Sequence, residues 1–361
     1  MFRAIFKLVH RLFFKRKDGE GILVVQPLPG IGDVIWFLPH MHAIADHGGQ
    51  ISLMTKPRSF ANVLLEADSS VSEIVWLERN PGRHSGVRGF FRLVREIRKK
   101  NYRQAWLLHG SSRYAWLVYL AGIPDTYGYG IGSQKLLLSH QECFLTPAQR
   151  ALHGIDRATA LLTTAGVAGA DKDPVMRFRH YDSLVTWCIE RYALADNSTI
   201  KIAFAIGSSA PGKQWGAENF ALLANEIAEL ATIQFILVGG PAEQALADSI
   251  IRQSGLGEKH FVRLTGVPLQ EVAVVLSVCD ACVGNDTGVL NISAAVNTRS
   301  VGLFGSTTPL HYSSCLYPLV PPGNGAPPDS RQQGQISRMH EITVSLVVEQ
   351  LQKIVPFGKK S

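Results

Sequence analysis

A glycine, an amide, a carboxylate and a hydroxyl stand in direct succession at the head of the run GNDTGVLNISAA, residues 284–295. The apolar, strand-like residues Ala281, Cys282 and Val283 precede it, and a small-residue helix pattern follows. A cap and a turn account for one polar residue at such a junction, not for Asn285, Asp286 and Thr287 together. With Gly288 opening the helix, the amides of Thr287, Gly288 and Val289 can face an anion, and the Thr287 hydroxyl adds a donor. Asp286 suits sugar hydroxyls, or the orienting of neighbouring donors, better than it suits a phosphate.

Three other junctions of this kind offer related chemistry. In QPLPGIGDVIWFLPH, 26–40, Gly30 and Gly32 permit a tight turn and close approach of backbone to a ligand, and Asp33 is expected at the helix N-cap. As a cap it would stabilise the helix by about 1 kcal/mol; at the edge of a cleft it could accept a proton. An aspartate directly after the second glycine would repel a pyrophosphate and does not fit the GxGxxG turn of nicotinamide-binding folds. In IAFAIGSSAPGKQWGAENF, 202–220, Ser208 and Ser209 follow a strand and Lys213 can reach a diphosphate as a point charge, although an ordinary loop with a solvated lysine would read the same. In LVGGPAEQ, 237–244, Glu243 can bond ribose hydroxyls or simply complement a helix dipole.

These junctions need strands behind them and helices ahead, and the pattern supplies both. Strands are expected at 22–26, 51–55, 74–77 and 105–108, with helices at about 33–46, 58–66, 87–100 and 111–121. The stretch VAGADKDPVMRFRH, 167–180, breaks the alternation as a linker. It then resumes with helices at about 181–193, 217–230, 242–253, 268–278 and 288–296, and strands at 201–206, 234–238, 261–264, 281–284 and 300–304. Residues 317–335 read as a long Pro/Gly-rich loop, and 342–354 as a last amphipathic helix. Alternation of this kind predicts an α/β protein with parallel, doubly wound sheets, one in each half. Ligands bind at the carboxyl ends of such strands, which would place all four junctions on a cleft between the halves.

The chain of 361 residues exceeds one ordinary core, and 46% apolar residues suffice for packed interiors. A net charge of +7 and a pI near 9.2 invite an acidic partner. Five cysteines without a repeating framework favour a reducing compartment, and the lone pair Cys279 and Cys282 reads as buried thiols rather than zinc ligands. No apolar run reaches the roughly 20 residues of a membrane span. The leader MFRAIFKLVHRLFFKRK instead alternates apolar and cationic residues at helical spacing, as a helix lying on an anionic inner leaflet would. A second basic segment, RGFFRLVREIRKKNYR at 88–103, could join it in one cationic face for phosphorylated lipid. No nucleic-acid-binding motif accompanies this charge.

From about residue 21 to 355 the sequence resembles the bacterial lipopolysaccharide heptosyltransferases, glycosyltransferase family 9. The likeness rests on GIGDVIWFLP, GKQW, GNDTGVLNISAAVNTRSVGLFGSTTP and the terminal EITVSLVVEQLQKI. It implies the GT-B fold, two Rossmann-like domains facing each other across a cleft. The expected division is a basic N-terminal segment at 1–20, an acceptor-binding domain at 21–175, a nucleotide-sugar-binding domain at 176–340 and a terminal helix at 341–361. It also implies inverting transfer of a heptose or related sugar from an ADP-sugar to a lipid A–core acceptor, with neither metal nor cofactor. By position, Asp33 matches the general base and Lys213 the lysine facing the diphosphate. Glu243 matches the glutamate on the nucleoside, and Asp286, Thr287 and Gly288 match the cradle for donor sugar and phosphate. One departure stands out: Asn291 occupies a position where the family commonly has histidine, so it can donate a hydrogen bond but brings no positive charge.

On this reading Asp33 takes the acceptor's proton, worth roughly 10²–10⁴ in rate. Lys213, Thr287 and the helix starts near Ser208 and Gly288 stabilise the departing diphosphate. The protein would work in the cytoplasm, peripheral to the inner face of the membrane. Two rivals stay open. A catalytically silent nucleotide-sugar-binding protein is kept alive by Asn291, and a nicotinamide-dependent oxidoreductase is opposed by the missing GxGxxG.

Overall fold

The computed structural model describes residues 19–177, 181–196, 198–309, 311–322 and 337–357, so the basic leader and most of the 317–335 loop lie outside the described residues. The chain divides into two compact units, the first ending at Lys172 and the second beginning at Asp173.

The first unit is built on β1 (Ile22–Val25), α1 (Ile31–Trp36), α2 (Leu38–Gly48), β2 (Ile51–Thr55), α3 (Ala61–Leu64) and β3 (Val71–Trp76). There follow α4 (Gly86–Lys100), β4 (Gln104–Leu107), α5 (Ser112–Ala121), β5 (Asp125–Gly128), α6 (Gln134–Leu137), α7 (Pro147–Arg150) and α8 (Gly154–Thr164). The five strands run parallel in the order β3-β2-β1-β4-β5. Every residue of β1 and β2 is buried, as central parallel strands covered on both faces require. Helix α4 turns Leu93, Val94 and Ile97 inward onto the core of Val25, Leu107 and Leu117.

Two expectations are corrected here, and some elements were not foreseen. The single helix at 33–46 is two, because Pro39 cannot donate into the first helix and its ring would crowd the carbonyl one turn back. The helix at 58–66 shrinks to a 3₁₀ turn and the four residues of α3, separated by Phe60 at φ 52° in the left-handed region. Strand β5 and the helices between 134 and 164 carried no alternation and were not anticipated.

The second unit holds α9 (Tyr181–Arg191), β6 (Ile200–Ala205), α10 (Ala217–Ala228), β7 (Ile233–Gly239), α11 (Gln244–Ser254) and β8 (Phe261–Thr265). It continues with α12 (Leu269–Ser277), β9 (Ala281–Asn285), α13 (Gly288–Ala295), β10 (Ser300–Leu303), β11 (Leu316–Leu319) and α14 (Val344–Ile354). Its parallel order is β11-β10-β9-β6-β7-β8. Strand β11 starts at Leu316 and runs into the first residues of the segment expected to be loop; as an edge strand it tolerates Pro318, which a central position would not. Phe204 packs in the core with its ring centroid 5.3 Å from those of both Phe220 and Phe235, and α14 closes one side with Val347 and Leu351. Cys188, Cys279 and Cys282 are buried free thiols. Each unit is doubly wound, with a switch in strand order between β1 and β4 in the first and between β6 and β9 in the second.

Candidate active site

In the first unit the chemistry gathers at the carboxyl ends of β1, β2 and β4, around the switch point. Asp33 is the third residue of α1 and not its cap, which is Gly30. Its Oδ2 accepts the Gly30 amide at 2.8 Å, half of a capping box, while Oδ1 has no hydrogen-bond partner among the described residues. A Cβ at position 30 would sit 2.8 Å from that same Oδ2, so a side chain there would push the carboxylate off the amide. Gly32 is simply the second helical residue. The turn is braced from β2: Thr55 Oγ1 donates to Gln26 Oε1 and to the Leu28 carbonyl, both at 3.2 Å.

Burial raises the Asp33 pKa above the ordinary carboxylate value, against the opposing pull of the Gly30 amide and of positive charge at His153 and Lys56. A helix-capping carboxylate in water would move the other way. Nearby, burial and the charges of Arg157 and Lys56 depress the His109 pKa. Its Nδ1 accepts the Ser111 amide at 3.0 Å, which leaves the proton of the neutral ring on Nε2. Lys56, His109 and His153 were not singled out from sequence, although Lys56 directly follows β2 and His109 lies two residues past β4.

In the second unit the switch point between β6 and β9 brings GSS and GNDTG side by side. Asn285 is fully buried and is a structural hub: Nδ2 donates to Ile206 O at 3.0 Å, Gly207 O at 3.1 Å and Gln214 Oε1 at 2.9 Å, while Oδ1 accepts the Trp215 amide at 3.1 Å. The three-residue polar run is therefore divided, with Asn285 committed to the scaffold and the next two residues left to other partners. Asp286 Oδ2 takes Lys213 Nζ at 2.5 Å and Thr307 Oγ1 at 2.9 Å. Lys213 is thus held by a carboxylate rather than solvated, and Thr307 was missed although it lies just beyond β10.

Thr287 precedes Gly288, the first residue of α13, yet its hydroxyl caps nothing: Thr287 Oγ1 and Ser306 Oγ are both buried without a hydrogen-bond partner among the described residues. Buried hydroxyls left unpaired are costly and suit a ligand's oxygens. Asn291 is half-buried one turn further along α13, its amide bonded to the Thr287 carbonyl at 3.3 Å. Ser208 is committed locally, donating from Oγ to the Ala210 carbonyl at 2.5 Å, and Ser209 is exposed. Glu243 ends a 3₁₀ turn and its side chain lies over the GSS loop, where a Cβ on Gly207 would sit 3.7 Å from its carboxyl carbon. Lys213, Glu243, Asp286, Thr287 and the Gly207 backbone therefore share one end of one sheet. Among the described residues no three His, Cys, Asp or Glu side chains converge as a metal site would need.

Residues 90–322 match the family described as glycosyltransferase family 9 (heptosyltransferase). Over 277 residues the chain is 24% identical to lipopolysaccharide heptosyltransferase 2 of Salmonella typhimurium, covering 73% of this chain and 78% of that protein. The Escherichia coli protein of the same name is 22% identical over the same length and shares. Among solved structures, a family 9 glycosyl transferase of Veillonella parvula superposes with a TM-score of 0.76 at 19% identity, covering 94% of this chain and 98% of that one. An E. coli heptosyltransferase solved with ADP-2-deoxy-2-fluoro heptose gives 0.65 at 15% identity, covering 92% and 99%. These structural likenesses establish the fold.

Proposed function

We propose that this chain, which belongs to glycosyltransferase family 9, is a heptosyltransferase that moves a heptose from ADP-heptose to a lipopolysaccharide core acceptor, inverting the anomeric carbon. The names of its relatives and the ADP-heptose analogue held by a structural neighbour support the choice of donor and acceptor. The observation that carries the chemistry is a half-buried carboxylate with a raised pKa and one unengaged oxygen, Asp33 Oδ1. A general base needs both properties.

The acceptor hydroxyl attacks the anomeric carbon and gives its proton to Asp33. The bond from that carbon to the diphosphate breaks, and the electron pair leaves with ADP. Lys213 moves from Asp286 to the departing diphosphate, and the Thr287 and Ser306 hydroxyls find their missing acceptors there. Asp286, still held by Thr307, accepts from a donor-sugar hydroxyl. Glu243 bonds the ribose. Negative charge on the leaving group is met by Lys213 and by helix-start donors, so the reaction proceeds without a divalent ion or a cofactor. The protein works on the cytoplasmic side of the membrane, peripheral to it.

The test is transfer from ADP-heptose to a heptose-deficient lipopolysaccharide by the wild type and by Asp33→Ala. Equal rates would remove Asp33 from the mechanism. Asn291, which brings no charge, favours the second reading of a silent nucleotide-sugar-binding protein; ADP binding without any transfer by the wild type would select it.

A further inference from the structure

We propose that the outer face of α4 is a docking surface for an anionic lipid bilayer. The inference rests on the peripheral placement above and names the face that produces it. Helix α4 contains one carboxylate, Glu96, and it is turned inward: Oε2 lies 3.1 Å from Nε2 of the buried His84, and Oε1 3.8 Å from Arg83. The outer face is left with Arg88, Arg92, Arg95 and Lys99, all exposed and spaced along one stripe. None of the four has a carboxylate partner among the described residues. Alongside them, one turn apart, Val87 is 74% exposed and Phe91 48%. A helix face that only had to be solvated would not carry these two, and an aliphatic side chain has no stacking role on a nucleic acid. On α5, which packs against α4 through Arg113 over Phe90 and Arg98 on the Leu120 carbonyl, Trp116 is exposed as well. Cations that meet phosphates around apolar side chains that enter the headgroup layer are what interfacial binding requires.

A second observation bears on the same face. The Glu20 amide donates to the carbonyl of Asn101, the residue that caps the last turn of α4, at 3.0 Å. The leader MFRAIFKLVHRLFFKRK therefore joins the unit at the end of this helix, with Lys17 no more than about 10 Å of chain from Glu20. Two cationic, apolar segments are tethered at one point. Single weak membrane signals are reversible, whereas two together hold.

The full-length protein is sedimented with phosphatidylglycerol-rich vesicles and with phosphatidylcholine vesicles, at low and high salt. Wild type is expected on the anionic vesicles only, and to leave them as salt rises. Replacing Arg88, Arg92 and Arg95 together by Gln should weaken partitioning roughly a hundredfold, and Val87→Ser with Phe91→Ser about tenfold. Both variants should keep the wild-type melting temperature and the wild-type rate on a soluble, delipidated acceptor. Undiminished binding by the triple variant would overturn the proposal, because the leader alone would then suffice. So would equal binding to neutral vesicles, displacement by duplex DNA, or a dimer that the Val87 and Phe91 changes dissociate. Intact vesicle binding by a wild type that transfers no sugar would support the docking face and reject the transferase reading alone.

Discussion

Asp33 is better explained by chemistry than by folding. Its raised pKa means that the folded chain prefers the neutral carboxyl, so its contribution to stability is most favourable below the unfolded value and is lost as pH rises through the folded one. At neutral pH the charged form weakens the fold. Asp33→Asn keeps an acceptor for the Gly30 amide and removes the charge. The variant is expected to melt higher than wild type at neutral pH, with the gap closing as pH falls into the carboxylate range, while transfer drops by roughly 10²–10⁴. Thermal melts and kcat across pH check both, and melts that coincide at every pH would show that the carboxylate carries no penalty. The acid limb of kcat/KM should lie above the ordinary value of 3.8. Lys213 and Thr307 share Asp286 Oδ2 but have different expected roles. Lys213→Ala should lower kcat by about 10²–10³, because it removes charge stabilisation that develops in the transition state. Thr307→Val should raise the donor KM several-fold and hold kcat within about twofold, because it loosens only the positioning of Asp286. A Lys213 variant altered in KM alone would refute its leaving-group role.

At the scale of elements, the helix-strand junctions are what the sequence makes legible, and the direction of each side chain is what it hides. Apolar runs broken by glycine predict β1, β6, β7 and β9, because buried parallel strands have no other pattern. The short, polar β5 and Pro-bearing β11 escape that logic, since edge strands need not be apolar on both faces. Within GNDTG, Asn285 and Asp286 look equivalent as letters, yet Asn285 is the last residue of β9 and Asp286 lies in the bend beyond it. Asn285 goes inward between β6 and β9, where Gly284 packs so closely that a Cβ would meet that of Ala205 at 2.3 Å. Asn285→Ala would strand the Trp215 amide and the Gly207 carbonyl, while the Ile206 carbonyl keeps Gln214 Nε2, and should cost about 3 kcal/mol in urea unfolding. Long-range links are equally hidden: His40 on α2 meets Thr159 Oγ1 on α8 at 2.9 Å, and burial lowers its pKa to about 4. A histidine depressed in the fold supplies stability above its unfolded pKa of 6.5 that is lost as pH falls towards 4, at most about 3 kcal/mol. His40→Gln should flatten that acid sensitivity, which urea midpoints at the two ends of this window would reveal.

At the scale of the whole molecule, two separate cores let the two halves of the reaction be tested apart. One core gathers Phe204, Phe220 and Phe235 with α14, the other Leu23, Leu107 and Leu117. The residues proposed for nucleotide and sugar all belong to the unit beginning at Asp173, and the proposed base belongs to the unit ending at Lys172. ADP should therefore act on the second core. At a hundredfold excess over its Kd it should stabilise that unit by about 2.7 kcal/mol. Hydrogen exchange should slow at the Gly207 loop and the start of α13, where the proposed site would bring amides to the diphosphate, and stay unchanged around Gly30 and Asp33. Lys213→Ala should lose most of the effect and Asp33→Asn none of it. NAD should produce no protection, because Asp33 stands where a second pyrophosphate turn would need an uncharged residue. Protection that instead concentrated at Gly30, with the Gly207 loop unaffected, would assign the nucleotide to the first unit and reverse the roles given to the two carboxylates.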